Sequence, residues 1–575
     1  MEALVIAVVG VIVVALATAL APRVGIAGPL ALVAIGIGVS LLPFFPAFEV
    51  DPEIILVGVL PPLLYSSAVS LPAIEFRRDF RPIAGLSILL VLVSTAALAV
   101  FFVLVIPGID VYLAIALGAL LSPTDAVATS IVKRLGISPR VVTMLEGESL
   151  LNDATSLVLL RTAIAAIAVG SVSVGEAVWA FLWGVIIAVV VGALVGLLAL
   201  RVRTWVGHSA ANTALSFVVP FVAYLPTEQL GGSGLVAAVV AGIVTGQGAA
   251  RWFSPEQRLS DELNWRTVEL MLEGAVFLVM GLQLKEIVQA NIEDHEGLWH
   301  GAWLAASAIA IILLVRAGYV AVLVAVQGRR AQRLDRAGLE SFTARIEAAG
   351  AAPPSGGRRR GSSSPERNER RLQQMRGRVT RALADLDYYQ SSPLGWKHGT
   401  VIVWAGMRGV VTLAAAQTLP DGPIQALLVF VAFLVAVGSL MLQGFTLPML
   451  VRLLRLEGSG GGSATAQEQR RLDDEMRRAA ASSLAEGSLT RRDGAAFSPE
   501  LIEGVGSRLT QPPDDDTTAF ARDVLELRLA LIAVMRVRLN SVSSDGTFST
   551  AALRHALAEL DADQLSLELR LGDGV

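Results

Sequence analysis

Thirteen stretches of this 575-residue chain are apolar over a length that would cross a lipid bilayer. A helix needs about 20 apolar residues to cross about 30 Å of hydrocarbon, and within it satisfies all of its own backbone polar groups. With 54% hydrophobic and only 17% charged residues, the chain is predicted to be an all-α polytopic membrane protein. The thirteen predicted spans are residues 3–20, 25–43, 53–70, 82–106, 111–133, 141–168, 174–200, 209–227, 231–249, 267–290, 299–326, 398–419 and 424–454.

The basic residues predict how these spans are oriented. The positive-inside rule compares the Lys and Arg content of loops on the two sides of the membrane. If the N-terminus is external, the short cytoplasmic loops hold twelve basic residues and the external loops hold only Lys285. We therefore predict a multi-pass protein of the cell membrane with an external N-terminus and a cytoplasmic C-terminus. The twelve residues are Arg23, Arg77, Arg78, Arg81, Lys133, Arg134, Arg140, Arg201, Arg203, Arg251, Arg258 and Arg266.

Two segments are too polar to lie in the membrane, and they divide the chain into four regions. Residues 1–327 hold spans 1 to 11, and residues 396–455 hold spans 12 and 13. Residues 328–395 are predicted to form a cytoplasmic loop of two charged helices, whose basic face contacts anionic membrane lipid. Residues 456–575 are predicted to form a helical cytoplasmic domain, because residues 519–542 have apolar side chains at helical spacing. This domain would pack on itself or on a second copy.

Span 6 carries carboxylates in an otherwise apolar stretch. A charge in the membrane costs about 2.5 to 3.5 kcal/mol on insertion scales, so such residues usually face a polar interior or an ion path. In "EGESLLNDATSLVLL", the side chains of Ser149, Asn152, Asp153 and Ser156 line one stripe of a helix, with Glu148 beside it. A hydrogen-bonded seam between helices would explain the hydroxyl and amide groups. It would not explain two acids without a basic residue within a turn.

Span 5 contains a proline within the motif "ALLSPTDAVATS". Pro123 lacks an N–H group and its ring clashes with the carbonyl four residues earlier, so the helix is predicted to open just before Thr124. Opened backbone at membrane depth is tolerated only against protein or a water-filled cavity, and transporters build cation sites from interrupted helices. The alternative is a simple kink in which Asp125 caps the second half-helix.

Span 12 is interpreted as the counterpart of span 5. Its motif "WAGMRGVVTLAAA" places Gly406 and Gly409 around Arg408. The two glycines weaken the helix next to the buried guanidinium of Arg408. One proline-interrupted span in the first half and one glycine-interrupted span in the second predict inverted repeats with two crossing helices. This repeat is inferred from position alone, because the two halves show no strong sequence similarity. The other charges predicted within spans are Glu146, Arg161, Glu269, Glu273 and Arg316.

Five motifs together resemble the cation:proton antiporter family 1, the Na⁺/H⁺ exchanger family, including its prokaryotic members. They are "SPTDAV", "EGESLLNDATSLVL", "LLVRAGYV", "GMRGVVTLAA" and "LMLQGFTLP", and they occur in the family's order on the corresponding spans. The resemblance covers about residues 1–455. The loop and the tail do not match the family core.

The resemblance implies a role for each motif residue. Asp153 resembles the family's essential aspartate, which binds the cation or a proton but not both, and Asn152 matches the asparagine found in electroneutral members. The resemblance also implies a moving bundle of spans 5, 6, 11, 12 and 13 on a more rigid scaffold that carries homodimer contacts. The remaining implied residues are Thr124, Asp125 and Ser149 as Na⁺ ligands with Asp153, Glu148 and Arg316 as a buried ion pair, and Arg408 as the charge of the span 12 crossing.

The predicted function is secondary active antiport of a monovalent cation against H⁺, most simply Na⁺, with Li⁺ or K⁺ as alternatives. Exchange would be electroneutral, one cation for one proton, would regulate internal pH and sodium, and would need no cofactor and no nucleic-acid partner. Hard cations take oxygen ligands, and a carboxylate withdrawn from water can bind either species. A membrane-embedded enzyme that uses Asp125 and Asp153 is disfavoured, because the chain has no cysteine and no His pair on a span. An ion channel would conduct without proton exchange.

Overall fold

The structure is a computed structural model of the chain. Most of loop 328–395 and part of the linker at residues 457–465 fall outside the described residues, so the predicted loop helices stay a prediction. The chain forms two compact units, the first made of Met1–Phe253, Gln257–Ala325 and Leu394–Gly460 and the second of Ser254–Glu256, Val326–Pro393 and Gly461–Val575. The structure describes residues 2–43, 50–169, 174–206, 208–293, 297–333, 392–458, 462–487, 489–491, 494–506 and 519–572, with residues 383, 385, 386, 388 and 389.

The regular structure of the described residues is helical, apart from an isolated bridge between Thr490 and Ala496. Each of the thirteen predicted spans corresponds to helix. The helices of the first unit are α1 (Glu2–Leu20), α2 (Gly28–Ser40), α3 (Leu60–Ser70), α4 (Ala73–Arg78), α5 (Phe80–Ala84), α6 (Leu90–Val105), α7 (Val111–Leu121), α8 (Val127–Arg134), α9 (Pro139–Val169), α10 (Val174–Trp205), α11 (Ser209–Gln229), α12 (Gly234–Trp252), α13 (Pro255–Leu282), α14 (Leu284–Glu293), α15 (Leu298–Arg333), α16 (Trp396–Trp404), α17 (Val410–Ala416) and α18 (Gln425–Leu453).

Nine helical segments in the described part of the chain are long and apolar enough to cross a membrane. Three shorter apolar helices, Gly28–Ser40, Ile54–Ser70 and Val111–Leu121, accompany them. The all-α polytopic fold predicted from hydropathy is therefore confirmed. The count of thirteen spans and the inverted repeat stay predictions.

Spans 5 and 12 are both interrupted at their midpoints, as the motifs predict. The first helix stops at Leu121 and resumes at Val127, and the second stops at Trp404 and resumes at Val410. The backbones of the two breaks meet, because the Asp125 N–H donates a 2.8 Å hydrogen bond to the Met407 carbonyl. Backbone groups released by one break are thus satisfied by the other.

Span 10 differs from its prediction in where its helix starts and in a break within the span. Helix α13 begins at Pro255 rather than at residue 267, and Gln283 separates it from α14. Its first turns read "PEQRLSDELNWR". This sequence is too polar to be predicted as a membrane span, although the segment is helical. Hydropathy reports how much of a segment suits hydrocarbon, whereas the helix continues wherever its backbone hydrogen bonds continue.

Two groups of helices pack around the crossing. Helices α3, α10, α11 and α12 pack against one another, and α6, α7 and α9 form a second group. The start of α9 is tied to the α4–α5 junction by a buried pair, in which Arg140 donates to both Asp79 oxygens at 2.8 and 2.9 Å. This pair anchors α9, the helix that carries the span 6 carboxylates.

The tail is helical, as predicted. The apolar segment at residues 519–542 lies within one long helix, and it packs on a small core that includes Leu484, Phe497, Leu501 and Leu527. The Arg491–Asp523 ion pair connects the segment before Phe497 to the long helix, and the Arg536–Asp561 pair connects the long helix to the last one. The tail helices are α19 (Gly462–Ala485), α20 (Pro499–Gly506), α21 (Ala519–Asp545) and α22 (Thr550–Gly572).

Candidate ion-binding site

A cavity of about 220 Å³ opens beside the two helix breaks. Its walls come from α3, α8, α9, α13 and α17 and from the breaks themselves. One basic side chain, Lys133, is among the residues that line it. A predominantly acidic cavity with apolar walls concentrates cations. The five lining carboxylates are Asp125, Glu146, Asp153, Glu269 and Glu273.

The span 6 stripe divides between the cavity and the protein interior. Ser149 and Asp153 line the cavity and are each 8% exposed. Asn152 and Ser156 are 1% exposed and lie behind them. Among the described residues, no hydrogen-bond donor contacts the Asp153 carboxylate, so this group faces the cavity without a partner. A buried carboxylate is stable there only with a proton or a cation.

Thr124 connects the span 5 break to span 6. The Asn152 Nδ2 group donates to the Thr124 hydroxyl at 2.8 Å, and that hydroxyl donates to Glu148 Oε1 at 3.3 Å. Asn152, and not Asp153, is therefore the span 6 residue that is hydrogen-bonded to the span 5 break. The Oδ1 atom of Asn152 is buried and has no hydrogen-bond partner in the described part of the chain.

Glu148 and Arg316 form a bidentate ion pair in the interior. Arg316 Nη2 donates to Glu148 Oε2 at 2.8 Å, Nη1 donates to Oε1, and both side chains are 1% exposed. Breaking such a pair is costly, because the remaining charge stays buried and unpaired. Glu148 is consequently engaged by Arg316 and does not line the cavity.

The two interior arginines also cap half-helices. Arg316 Nε donates to the Ile402 carbonyl at 2.9 Å in the last turn of α16. Arg408 donates to the Leu121 and Ser122 carbonyls at 3.0 and 3.2 Å at the end of α7. A helix C-terminus carries partial negative charge, so a cation there is stabilising. These carbonyls are already occupied by protein donors.

Asp125 caps the second half of span 5 and also lines the cavity. Its Oδ1 atom accepts the Val127 N–H at 2.8 Å, next to the start of α8. The two interpretations of the Pro123 motif are therefore compatible, because Asp125 both caps the second half-helix and lines the cavity. The bond to the Val127 N–H holds the Asp125 side chain at the junction between the break and α8.

The two glycines of span 12 allow the closest approaches at the site. A Cβ atom on Gly406 would lie 2.8 Å from Arg316 Cδ and Nε, and one on Gly409 would overlap the Asp125 carboxylate. Sequence reasoning gave these glycines a different role, as weak points of the helix. Their stronger requirement is space, because charged side chains lie directly on the backbone.

Substitution of Gly409 by alanine is expected to displace Asp125 and to lower transport. Overpacking at a closed site costs about 1–3 kcal/mol, and a comparable rise in the transport barrier slows exchange by about tenfold or more. Initial rates in proteoliposomes would measure this loss. Gly422→Ala is the matched control, because a Cβ atom there would meet no atom of the described residues within 4 Å. Equal rates for the two variants would contradict the crowding argument.

Two features of the cavity, the α13 glutamates and the Lys133–Glu146 ion pair, were not assigned a role from the sequence. Glu269 and Glu273 lie one turn apart on α13, and Glu269 accepts the Ser66 hydroxyl at 3.3 Å. Lys133 is paired with Glu146 at the cavity wall. The spacing of Glu269 and Glu273 by four residues is the signal that places both on one helix face. Nothing local shows that this face meets span 6.

The described residues contain no group of three or more His, Cys, Asp or Glu side chains arranged to hold a metal ion. The cavity oxygens come instead from single carboxylates, hydroxyls and opened backbone. A sequence model of the transmembrane sodium/hydrogen exchanger family matches residues 10–351.

The chain belongs to the sodium/hydrogen exchanger family. The resemblance inferred from the five motifs is therefore confirmed, and it places the protein in a family of transporters.

Two relatives and one solved structure illustrate how this chain compares with known proteins. An uncharacterized Na⁺/H⁺ exchanger, YjcE of Escherichia coli K12, is 36% identical over 310 residues, which are 51% of this chain and 56% of that protein. A sodium, potassium, lithium and rubidium/H⁺ antiporter of Bacillus subtilis 168 is 30% identical over 274 residues, covering 46% of this chain and 41% of that protein. The matches thus span about half of these relatives' length.

The fold of this chain is similar to that of a solved antiporter. MjNhaP1 of Methanocaldococcus jannaschii, a sodium proton antiporter solved at pH 8, aligns with a TM-score of 0.57. The alignment covers 79% of this chain and 99% of that one at 16% identity. At this identity the likeness concerns the fold.

Proposed function

We propose that this exchanger is a secondary antiporter of the cell membrane that exchanges a monovalent cation, Na⁺ first, for H⁺. The observation that carries the proposal is the Asp153 carboxylate, which is 8% exposed, lacks a protein donor among the described residues and faces a cavity at two helix breaks. A proton and a cation compete for this one group. The names of the Escherichia coli and Bacillus relatives point to the same class of exchange.

The proposed ion site is built from oxygen atoms. Asp153 and Ser149 come from α9, and Asp125 with the opened backbone at Thr124 comes from span 5. Carboxylate, hydroxyl and carbonyl oxygens are the ligands that hard cations take. The Thr124 hydroxyl is already hydrogen-bonded to Asn152 and Glu148. We therefore assign the backbone carbonyl of Thr124 as the ligand of the ion.

The state of the cavity is proposed to be inward-facing. Lys133 and Glu146 lie on its wall and flank the loop between spans 5 and 6, which the positive-inside rule places in the cytoplasm. Helices α3 and α13 line one side and the crossing lines the other, so a relative movement of these groups would close the path. We propose that the exchanger works as a homodimer and that the site is complete without the tail at residues 456–575.

A flux assay separates this proposal from its alternatives. Protein in liposomes with an internal pH dye should move protons when a Na⁺ gradient is imposed, and should respond in the same assay to Li⁺ or K⁺ if they are substrates. A channel would carry cation current without coupled proton movement. A response to K⁺ alone would identify the protein as a K⁺/H⁺ antiporter. The absence of coupled proton movement with every cation tested would overturn the proposal.

Exchange is expected to be electroneutral, because the proposed cycle exchanges one proton for one cation at Asp153. Asn152 cannot ionise, Glu148 is bonded to Arg316, and Asp125 Oδ1 is engaged by the Val127 N–H at the start of α8. We therefore assign the alternation between proton and cation to Asp153, and not to Glu269 or Glu273, which also line the cavity. A membrane potential of either sign, set with potassium and valinomycin after K⁺ transport has been excluded, should leave the exchange rate and final Na⁺ distribution unchanged. A shift of that distribution with potential would mean that a second acid cycles.

A further inference from the structure

Helices α10 and α12 are packed with almost no space between their backbones. Gly192 and Gly196 form a G-x-x-x-G pair on α10, a spacing that lets membrane helices approach closely. A Cβ atom on Gly192 would lie 2.5 Å from the Ala237 carbonyl, and one on Gly196 would lie 3.0 Å from the Ala241 carbonyl. The two helices therefore form a rigid pair, and their C-terminal ends lie together.

These ends expose arginine and tryptophan side chains. The Arg201 guanidinium lies 4.9 Å from the centre of the Trp252 ring, a cation–π distance. Trp205 follows Arg201 by one helical turn and is 88% exposed, and Trp252 is 42% exposed. Arg251 precedes Trp252 and is also exposed. Tryptophan at a helix end is typical of the membrane–water boundary.

Two kinds of arginine occur at this end of α10. Arg203 is 2% exposed and donates to Asn212 at 2.6 Å and to Asp261. Its charge is therefore neutralised inside the protein. Arg201 and Arg251 have no carboxylate partner among the described residues, so both charges are available to a ligand outside the bundle.

We propose that Arg201, Trp205, Arg251 and Trp252, here called the arginine–tryptophan patch, bind the headgroup of an anionic phospholipid. Guanidinium groups pair well with phosphate oxygens, and indole rings lie at headgroup level. The apolar face of α10 continues from the patch toward the membrane interior, where acyl chains would lie. Leu194, Leu197 and Leu198 are exposed on the part of α10 next to the patch.

Charge favours a lipid over a second copy of the chain on this patch. Two copies related by symmetry would bring four unpaired guanidinium groups together. An anionic headgroup instead supplies the missing negative charge. The patch lies on the side that the positive-inside rule assigns to the cytoplasm.

The test is native mass spectrometry of the purified full-length protein with phosphatidylglycerol and, separately, phosphatidylcholine. The wild type should retain phosphatidylglycerol in preference. Arg201→Gln with Arg251→Gln should weaken that binding by about fivefold for each arginine, since a basic residue near an anionic surface contributes on that scale. Trp252→Leu, which keeps both charges, should cause a smaller loss. Size-exclusion chromatography would verify that each variant is folded.

A charge-matched control separates a site from general attraction. Arg77→Gln with Arg81→Gln removes two exposed arginines elsewhere on the same predicted side and should change binding less than the patch variant does. Equal losses in the two double variants, equal retention of phosphatidylcholine, or displacement of the lipid by inorganic phosphate would overturn the proposal. So would a patch variant that binds like the wild type, or one whose only change is loss of a dimer.

Discussion

Replacement of Asp153 by asparagine is expected to abolish cation/proton exchange and to leave the protein folded. The side chain lies in the cavity wall with no donor among the described residues, so an amide of the same size replaces it without breaking a protein contact. An amide cannot release a proton and does not neutralise a bound cation. Both halves of the exchange cycle therefore fail together.

The rate of dye-reported proton movement in proteoliposomes measures this loss. Asp421→Asn, the same chemical change at an exposed site, is the control and should transport like the wild type. Circular dichroism and gel filtration show whether the Asp153 variant is folded. Substantial exchange by well-folded Asp153→Asn protein would remove Asp153 from the centre of the mechanism and would point to Asp125 or to the α13 glutamates.

Separate replacement of Glu148 and Arg316 by alanine is expected to lower the free energy of unfolding by about 3–5 kcal/mol each. Either change leaves an unpaired charge in a site that is 1% exposed. The double replacement should cost less than the sum of the two single ones, since it removes both charges. Recovery will be partial, because Arg316 also caps α16 at Ile402 and Glu148 also accepts the Thr124 hydroxyl.

A second pair of the same residue types provides the comparison. Arg161 and Glu228 are bonded, but their side chains are 53% and 24% exposed. Surface pairs contribute about 0–1 kcal/mol, so the same double-mutant cycle there should give a small coupling energy. Unfolding curves of the purified variants supply both cycles. Additive losses for Glu148 and Arg316 would show that the two are not energetic partners.

The sequence by itself determined the helical architecture and the position of the first break. Hydropathy is a sum over neighbouring residues, and membrane helices satisfy their backbone within one segment, so the spans follow from local sequence. Pro123 likewise acts within one turn, because its missing N–H and its ring affect the preceding residues. The family motifs were also readable, since each is a short contiguous string. The start of α13 at Pro255 was missed because its first turns are polar.

Only the tertiary structure decided which side chains meet. Spacings of three and four residues from Ser149 place Asn152 and Asp153 on one stripe. Their surroundings differ, because Asn152 bonds Thr124, 28 residues away, and Asp153 faces the cavity. Arg408 bonds the Leu121 carbonyl, 287 residues away, and Gly409 leaves room for Asp125. In a membrane helix apolar residues face both lipid and protein, so the pattern does not distinguish the two surfaces. Which face meets which is set by the packing of the whole bundle.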